Sequence, residues 1–344
     1  MSEPAEDVAI LRGIITQYFA SRALYAAAAL DVAGALSTGS KSIEELAQLI
    51  GAHASSLYRV LRVLAASQIF REEEDRRFAN TALSELLRAD VPGSLRDLVL
   101  LFGDETSWRS WEGILHGVRT GEAPFEHIYG EKFFDFLQDH ADTAAMFDRA
   151  MASASSTTNA AVAQACDFSG FGTVLDIAGG TGSALCSILK AAPHLHGIVF
   201  DLPHVAQRAR EFIAAQGLTQ RCEFSGGSFF EAVPSGADAY FMKHVLHDWG
   251  DAECAAILGN CRKAMSRDAR LLICERIVPP GNEPSSAKLI DLHMMMTNHG
   301  GKERTEPEYR DLLNKSGFEL QRVIATGTPW SVIEAQPVKI ATAI

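Results

Sequence analysis

The stretch that decides the fold reads Val174-Leu-Asp-Ile-Ala-Gly-Gly-Thr-Gly182, an apolar run that ends in a glycine-rich turn. The first run contains an acid, Asp176. About twenty residues later a second apolar run, Ile198-Val-Phe-Asp201-Leu-Pro-His204, leads to another acid, Asp201. In parallel sheets, ligands bind beyond the carboxyl ends of the strands, and an acid there can accept hydrogen bonds from both hydroxyls of a ribose. The two runs together predict a nucleotide-type cofactor site, although the third glycine of a dinucleotide fingerprint is missing.

The remaining strands follow from the same alternation. Short apolar or β-branched runs separated by helical stretches predict strands at 173–178, 196–201, 222–227, 237–244 and 270–277. This alternation indicates a mostly parallel, doubly wound sheet. The fourth run leads into Lys243-His-Val-Leu-His247-Asp-Trp249, so two histidines follow a strand and either is a candidate base. Because His244 lies three residues before His247, we expect the two on opposite faces of an extended strand.

The first hundred residues have a different pattern, because apolar positions recur there at helical spacing. One short helix is predicted to begin at Ser42 and another after a serine cap near Ser55, an arrangement that resembles a helix-turn-helix. The charged segment from Phe70 to Phe78 is a candidate wing. Such modules bind DNA or serve as dimer scaffolds, and the composition favours the second role.

The chain has 344 residues and a formal net charge of -12. That charge repels nucleic acid and anionic membranes, and no apolar run approaches the roughly 20 residues that span a bilayer. The acidic N-terminus lacks the basic-then-apolar order of a secretory signal, which predicts a cytoplasmic protein. Six cysteines without a Cys-x-x-Cys pair indicate neither a zinc site nor a disulfide framework.

Five motifs, in this order, resemble those of the caffeate-type, S-adenosylmethionine-dependent O-methyltransferases of the plant and bacterial small-molecule branches. They are Asp176-x-x-Gly-Gly-x-Gly182, Asp201-Leu-Pro-His-Val205, Gly226-Gly-Ser-Phe-Phe230, Lys243-x-x-x-His247-Asp-Trp249 and Gly300-Gly-Lys-Glu-Arg-Thr305. The resemblance implies a Rossmann-like class I methyltransferase domain at 161–344. It also implies a helical, winged-helix-like dimerisation domain at 1–100 and a helical linker at 101–160 that contributes to the substrate pocket.

The resemblance also assigns residues to roles. It implies that a homodimeric enzyme methylates a hydroxyl of a small aromatic molecule, with His247 as general base flanked by Glu275 and Glu303 and with no metal. The cofactor residues it implies are Asp176, Ala178, Gly179, Gly180, Gly182, Asp201, Leu202, Ser228, Phe229 and Lys243. The predicted substrate residues are Phe147, Met151, Met295 and Asn298.

Two positions depart from the family pattern. Ala178 replaces a glycine and Ser228 replaces an acid, so we expect weaker cofactor binding but not its loss. Ala178 can serve if its φ is negative, and the hydroxyl of Ser228 still forms a hydrogen bond.

Several alternatives stay open at this point. Asp248 is predicted to cap the helix that follows it, and Glu275 and Glu303 can instead pair with neighbouring basic residues. The aromatic residues between 100 and 160 line a pocket or fill a core. At the level of function, the alternatives are a cofactor-retaining relative with a different reaction, such as hydroxylation or decarboxylation, and a winged-helix regulator that senses a ligand.

Overall fold

The computed structural model describes the backbone of residues 4–338 and the side chains of all of these except residues 4, 5, 154, 156 and 157. Its helices are α1 Pro4–Ala29, α2 Val32–Ala35, α3 Ile43–Ile50, α4 Ala54–Ala66, α5 Ala82–Glu85, α6 Arg96–Gly103, α7 Glu105–Glu112, α8 Ile114–Thr120, α9 Pro124–Tyr129, α10 Phe133–Asp139, α11 Ala141–Ala165, α12 Ser183–Ala191, α13 Ala206–Ala215, α14 Asp251–Ala264, α15 Ser286–Thr297 and α16 Glu306–Lys315. Its strands are β1 Lys41–Ser42, β2 Phe70–Glu73, β3 Arg77–Asn80, β4 Thr173–Ile177, β5 His196–Asp201, β6 Cys222–Gly226, β7 Ala239–Lys243, β8 Arg270–Glu275, β9 Phe318–Ala325 and β10 Ser331–Pro337.

The chain divides into two compact units. The first comprises Met1–Trp108 with Leu137–Ala154, and the second comprises Arg109–Phe136 with Ser155–Ile344. Among the described helices, none has both the length and the apolar character that crossing a membrane requires.

In the first unit, α3 and α4 precede a hairpin of β2 and β3, and β1 completes a small antiparallel sheet in the order β1-β3-β2. The predicted start of α3 is confirmed, because the Ser42 hydroxyl accepts from the Glu45 N–H and the Glu45 carboxylate accepts from the Ser42 N–H. The predicted serine cap of the next helix is wrong: α4 begins after His53, whose side chain caps no backbone group.

The second unit is built on a seven-stranded sheet in the order β6-β5-β4-β7-β8-β10-β9. The first five of these strands run parallel, and all five lie within two or three residues of their predicted bounds. The predicted doubly wound sheet is therefore confirmed. Strands β9 and β10, which were not predicted, add an antiparallel hairpin beside β8.

The order of strands fixes where a ligand can bind. The chain moves outward from β4 to β5 and β6, then returns to the other side of β4 to form β7 and β8. Where the strand order reverses, the loops after β4 and β7 diverge and leave a crevice at the carboxyl end of the sheet. The Ala178–Gly182 turn follows β4 and His247 follows β7, so both predicted motifs belong to this crevice.

Candidate functional site

The turn after β4 packs tightly over the carboxyl group of Asp176. That side chain is 2% exposed, and its Oδ2 has no hydrogen-bond partner among the described residues. A Cβ on Gly179 would lie 2.7 Å from this oxygen, so only glycine fits there. Burial raises the pKa of Asp176 to about 7, the charge of Lys243 opposes the rise and that of Asp201 adds to it.

The backbone of Ala178 does not have the negative φ that would let an alanine serve in place of glycine. Its φ is +56°, in the left-handed region that costs an alanine roughly 1–2 kcal/mol. The condition of a negative φ is therefore not met, and the turn keeps the shape that glycine favours.

Asp201, at the end of β5, holds this turn in place. Its Oδ2 accepts a hydrogen bond from the Gly180 N–H at 2.7 Å, and its Oδ1 accepts from the Leu202 N–H at 2.6 Å. A carboxylate has about four acceptor positions, so two hydroxyl donors can still be accommodated. The side chain of Asp201 does not cap the helix that follows, because the short helix Pro203–Val205 has no side-chain cap.

Lys243 ends β7 beside the same crevice and is tied to a helix. Its Nζ donates to Asn159 Oδ1 at 2.7 Å, and Asn159 Nδ2 donates to Ser183 Oγ at 3.2 Å. Burial lowers the pKa of Lys243 to about 8. The chain of contacts connects β7, α11 and α12, and no local sequence signal identified Asn159.

The loop after β6 holds the other two predicted cofactor residues. Ser228 Oγ accepts from the Phe230 N–H at 3.3 Å, which leaves its hydroxyl proton available. The ring of Phe229 packs edge-on against Trp249 at 6.1 Å between centroids. Asn260 donates to the carbonyl groups of Phe229 and Phe230 and so fixes the backbone of the loop.

His247 lies in a short helix after β7 and is 9% exposed. The Gly300–Gly301 loop brings Glu303 to it, because the Lys302 N–H donates to the His247 carbonyl at 2.9 Å. A Cβ on Gly301 would lie 3.0 Å from that carbonyl oxygen and 2.8 Å from Asn298 Cβ, so this close approach needs glycine. The resulting contact joins His247 Nδ1 to Glu303 Oε1 at 3.1 Å.

Three carboxylates surround the imidazole. One atom each of His247, Glu275 and Glu303 lie within 4.8 Å of one another, and Asp248 Oδ1 is 3.6 Å from His247 Nε2. Glu275 Oε1 also accepts from the N–H groups of Val245 and Leu246, both at 2.9 Å, so it shapes the loop. Burial alone would lower the pKa of His247, but the charges of Asp248, Glu275 and Glu303 raise it to about 10.

The alternatives in which Glu303 pairs with Lys302 or Arg304 in solvent, and Glu275 with Arg276, are wrong. Glu275 is fully buried and Glu303 is 3% exposed. Lys302 and Arg304 instead pair with Asp251, at 3.0 Å and 2.8 Å.

Asp248 does not cap α14, contrary to the sequence prediction. The helix follows Gly250 without a side-chain cap. Asp248 Oδ1 instead accepts a hydrogen bond from Asn298 Nδ2 at 2.7 Å. Asn298 is one of the residues predicted to contact the substrate. Asn298 is buried, and its Oδ1 is an acceptor that has no partner among the described residues.

His244 does not lie on the opposite face of a strand from His247. The strand ends at Lys243, and the φ of His244 is +55°, which turns the chain. The two rings lie 5.6 Å apart between centroids. Burial, together with the charges of Lys243, His247 and Arg276, lowers the pKa of His244 well below its usual value. A ring that takes up a proton so weakly is a poor base at neutral pH.

Helix α15 carries His293 and Met295. His293 stacks on Trp111 with centroids 6.2 Å apart, and burial and the charge of His247 lower the pKa of His293 to about 4. Met295 is half-buried on the same helix. Phe147 and Met151 lie on the part of α11 that belongs to the first unit, and both are half-buried.

Some of the aromatic residues between 100 and 160, predicted to line a pocket or to fill a core, pack against one another. Phe125 is 1% exposed, and its ring packs within 5.4 Å of Tyr129, Phe133 and Phe136. These four residues form a core cluster rather than a binding surface. Trp111 and His293 are the stacked pair that remains half-buried.

Comparison with known proteins identifies both parts of the chain. Residues 111–319 match the O-methyltransferase domain, and residues 13–90 match the O-methyltransferase dimerisation domain. Phenazine O-methyltransferase PhzM of Lysobacter antibioticus is 42% identical over 96% of each chain. Phenazine-1-carboxylate N-methyltransferase of Pseudomonas aeruginosa is 33% identical over 90% of this chain and 92% of its own.

A solved structure agrees with these relatives. The crystal structure of the calicheamicin-biosynthesis methyltransferase CalO1, in its SAH-bound form, superimposes with a TM-score of 0.89 at 32% identity. The match covers 98% of this chain and all of CalO1. The glycine-rich turn after β4 and the acid at the end of β5, in a chain that matches this family model, place the protein among the S-adenosylmethionine-dependent methyltransferases. The chain belongs to the O-methyltransferase family, which confirms the resemblance found in the sequence and its cofactor.

Proposed function

We propose that the protein transfers a methyl group from S-adenosylmethionine to a hydroxyl of a small, flat aromatic molecule, with His247 as general base. The observation that carries this proposal is the 3.1 Å contact between His247 Nδ1 and Glu303 Oε1. The contact favours the tautomer with a proton on Nδ1, which leaves the lone pair of Nε2 to accept the substrate's proton.

The residues after β4 and β5 suit the proposed cofactor contacts. Gly179 leaves no room for a side chain over Asp176, and Asp201 retains acceptor capacity for two hydroxyls. Ala178, Gly182, Leu202, Ser228, Phe229 and Lys243 are proposed to border the same ligand. S-adenosylmethionine supplies a reactive methyl group on a positively charged sulfur, so no metal is needed for activation.

The residues of the protein then have to remove the proton of the substrate hydroxyl and hold its oxygen in line with the methyl group. Because the pKa of His247 is raised to about 10, the imidazole carries a proton at pH 7 in the free protein. A protonated His247 beside an ionised hydroxyl has the same number of protons as a neutral His247 beside a neutral hydroxyl. Both states hold one proton fewer than a protonated His247 beside a neutral hydroxyl, and either leads to methyl transfer. Both therefore become more populated as the pH rises toward the pKa of His247.

The substrate class is proposed from the site and from the relatives together. Trp111 and His293 present stacked rings, Met295 offers an adaptable apolar side chain, and Asn298 offers an unpaired acceptor. Phe147 and Met151 are further proposed substrate residues. The phenazine O-methyltransferase relative acts, by its name, on an aromatic molecule of this kind.

A homodimer is part of the proposal. Helix α1 exposes apolar side chains on more than one face, and residues 13–90 match the family's dimerisation domain. The exposed apolar residues are Val8, Ile10, Leu11, Ile14, Ile15, Tyr18 and Phe19. A monomer would leave this surface in water.

The test is transfer of isotopic label from methyl-labelled S-adenosylmethionine to hydroxyphenazines, catechols and hydroxynaphthalenes. Each compound is matched with its analogue that lacks the hydroxyl, and mass spectrometry locates the methyl group. Label on oxygen supports the proposal. Label only on a ring nitrogen of the hydroxyphenazines or of their analogues without the hydroxyl would show an N-methyltransferase instead. Duplex DNA binding at physiological salt without any transfer would indicate a regulator.

A further inference from the structure

Arg276 lies between two different partners. It follows β8 directly, and its side chain is 15% exposed. Its Nη1 is 3.6 Å from Glu303 Oε1, and its guanidinium carbon lies 4.2 Å from the centre of the Trp330 ring. A guanidinium within about 6 Å of an indole ring is held by cation–π attraction.

The C-terminal hairpin explains why Trp330 is there. Trp330 immediately precedes β10, and the first residue of that strand, Ser331, pairs with Glu275 in the antiparallel ladder. The pairing places Trp330 next to Arg276 at the end of β8. The hairpin thus contributes a side chain to the surroundings of the site, although no residue of it was predicted to take part.

Glu303 Oε1 serves two cationic partners. The oxygen is 3.1 Å from His247 Nδ1 and 3.6 Å from Arg276 Nη1. The other oxygen, Oε2, is buried and has no hydrogen-bond partner among the described residues. His247 and Arg276 therefore interact with the same carboxylate oxygen, Oε1 of Glu303.

Other groups also face His247 and have to be counted. The acids Asp248, Glu275 and Glu303 and the imidazoles of His244 and His293 interact with it directly, and Arg276 acts on it through Glu303. Both imidazoles have lowered pKa values and are neutral at pH 7. Lys243 and Arg276 are the cations of this cluster: the charge of Lys243 acts on Glu275 and His244, whereas Arg276 contacts Glu303, the acid bonded to His247.

We propose that Arg276, held against the ring of Trp330, is a positioning residue that shares the Glu303 carboxylate with His247 and so limits how tightly His247 keeps its proton. This inference rests on the proposed function, in which His247 is the base. A base that the three acids alone surrounded would release its proton at still higher pH. Arg276 thereby extends the activity of His247 toward neutral pH.

The test is an NMR titration of the His247 ring in the full-length protein, with the resonance assigned by its loss in His247→Gln. Arg276→Gln removes the opposing charge, so the proton dissociation constant of His247 should fall about tenfold. Arg276→Lys keeps a charge and should stay within about threefold of the wild type. Trp330→Leu should give an intermediate decrease, and Trp330→Phe, which retains an aromatic face, a smaller one.

Arg270→Gln is the matched control. Arg270 begins the same strand but faces Glu334 at 3.6 Å, so its loss should leave the titration of His247 unchanged. Equal curves for Arg276→Gln and Arg270→Gln would overturn the proposal. A shift in Arg276→Gln with none in Trp330→Leu would overturn the part assigned to Trp330.

The titration does not depend on methyl transfer. If Arg276→Gln unfolds, the Trp330→Leu and Trp330→Phe pair still decides the outcome without changing the arginine. If His247→Gln retains wild-type turnover, the proposed function fails while the titration result stands. The two failures are therefore distinguishable.

Discussion

His247 Nδ1 and Glu303 Oε1 lie 3.1 Å apart although 56 residues separate them in the chain. The contact is buried at both ends, since the side chain of His247 is 11% exposed and that of Glu303 is fully buried. In such surroundings a carboxylate strongly favours the protonated imidazole, because little water is present to screen the pair. The contact accordingly affects both the orientation of the ring and its affinity for a proton.

Replacing His247 with glutamine tests the base directly. Glutamine keeps similar bulk but cannot take up the substrate's proton, so turnover should fall by about 100-fold to 10,000-fold. Cofactor affinity should barely change. His244→Asn is the control, because asparagine tolerates the positive φ at that position, and it should reduce turnover much less. Turnover near that of the wild type in His247→Gln would mean that the base lies elsewhere.

The pH dependence of turnover follows from the raised pKa of His247. A base must be deprotonated, so turnover should rise with pH between the usual value of 6.5 and about 10. Glu303→Gln removes an anion that stabilises the imidazolium, so the pKa falls by about 1 or more and the rise moves to lower pH. Glu334→Gln, on the edge hairpin, should leave the profile unchanged. A profile that moves to higher pH in Glu303→Gln would contradict the prediction that loss of this anion lowers the pKa of His247.

Local patterns in the sequence predicted the parallel strands because each buried strand is a short apolar run between turns. β10 and β9 were missed, and Phe318–Ala325 contains polar residues among its apolar ones. Its partner lies across a turn, and no motif signals that pairing. Thus the central sheet was predictable, and the hairpin that carries Trp330 was not.

Within the site, motifs predicted residues whose position follows from one strand end, such as Asp201 and His247. Asp248 was assigned to a helix cap because cap rules use only neighbouring residues. Its actual partner, Asn298, is 50 residues away. Contacts of this kind depend on how loops from different strands meet, which patterns of neighbouring residues do not reveal.

Ala178→Gly should stabilise the protein. The left-handed backbone of Ala178 costs roughly 1–2 kcal/mol, and the added flexibility of glycine in the unfolded chain costs about 0.4–1 kcal/mol. A net gain of about 0.5–1 kcal/mol in the free energy of unfolding is expected, measured by urea denaturation. Ala160→Gly, at an exposed position in α11, should instead lose roughly 0.5–1 kcal/mol. Equal losses in the two variants would show that Ala178 is not strained.

Ile14→Glu tests the dimer surface. Ile14 is 62% exposed on α1, so a charge there costs the monomer little but is costly in an apolar interface. Light scattering should show the variant dissociating at concentrations where the wild type stays dimeric. Ile14→Leu should behave as the wild type. A dimeric Ile14→Glu protein would place the interface on another surface.

The role proposed for Asp201 has to be separated from its support of the glycine turn. Asp201→Ala should weaken S-adenosylmethionine binding by roughly 2–3 kcal/mol, the scale for hydrogen bonds to a charged group. The same variant loses two backbone hydrogen bonds, from Gly180 and Leu202, and so should also melt at a lower temperature.

Asp238 provides the matched control. Its Oδ2 accepts from the N–H groups of Gly172 and Thr173, at 2.8 Å and 2.9 Å, at the amino end of β4. Asp238→Ala therefore loses two backbone hydrogen bonds as well, but at the end of the sheet opposite to the cofactor turn. Calorimetry should show weakened binding in Asp201→Ala alone. Equal losses of affinity in the two variants would mean that Asp201 acts only through stability, because binding would then follow the integrity of the loops and not a contact with the ribose.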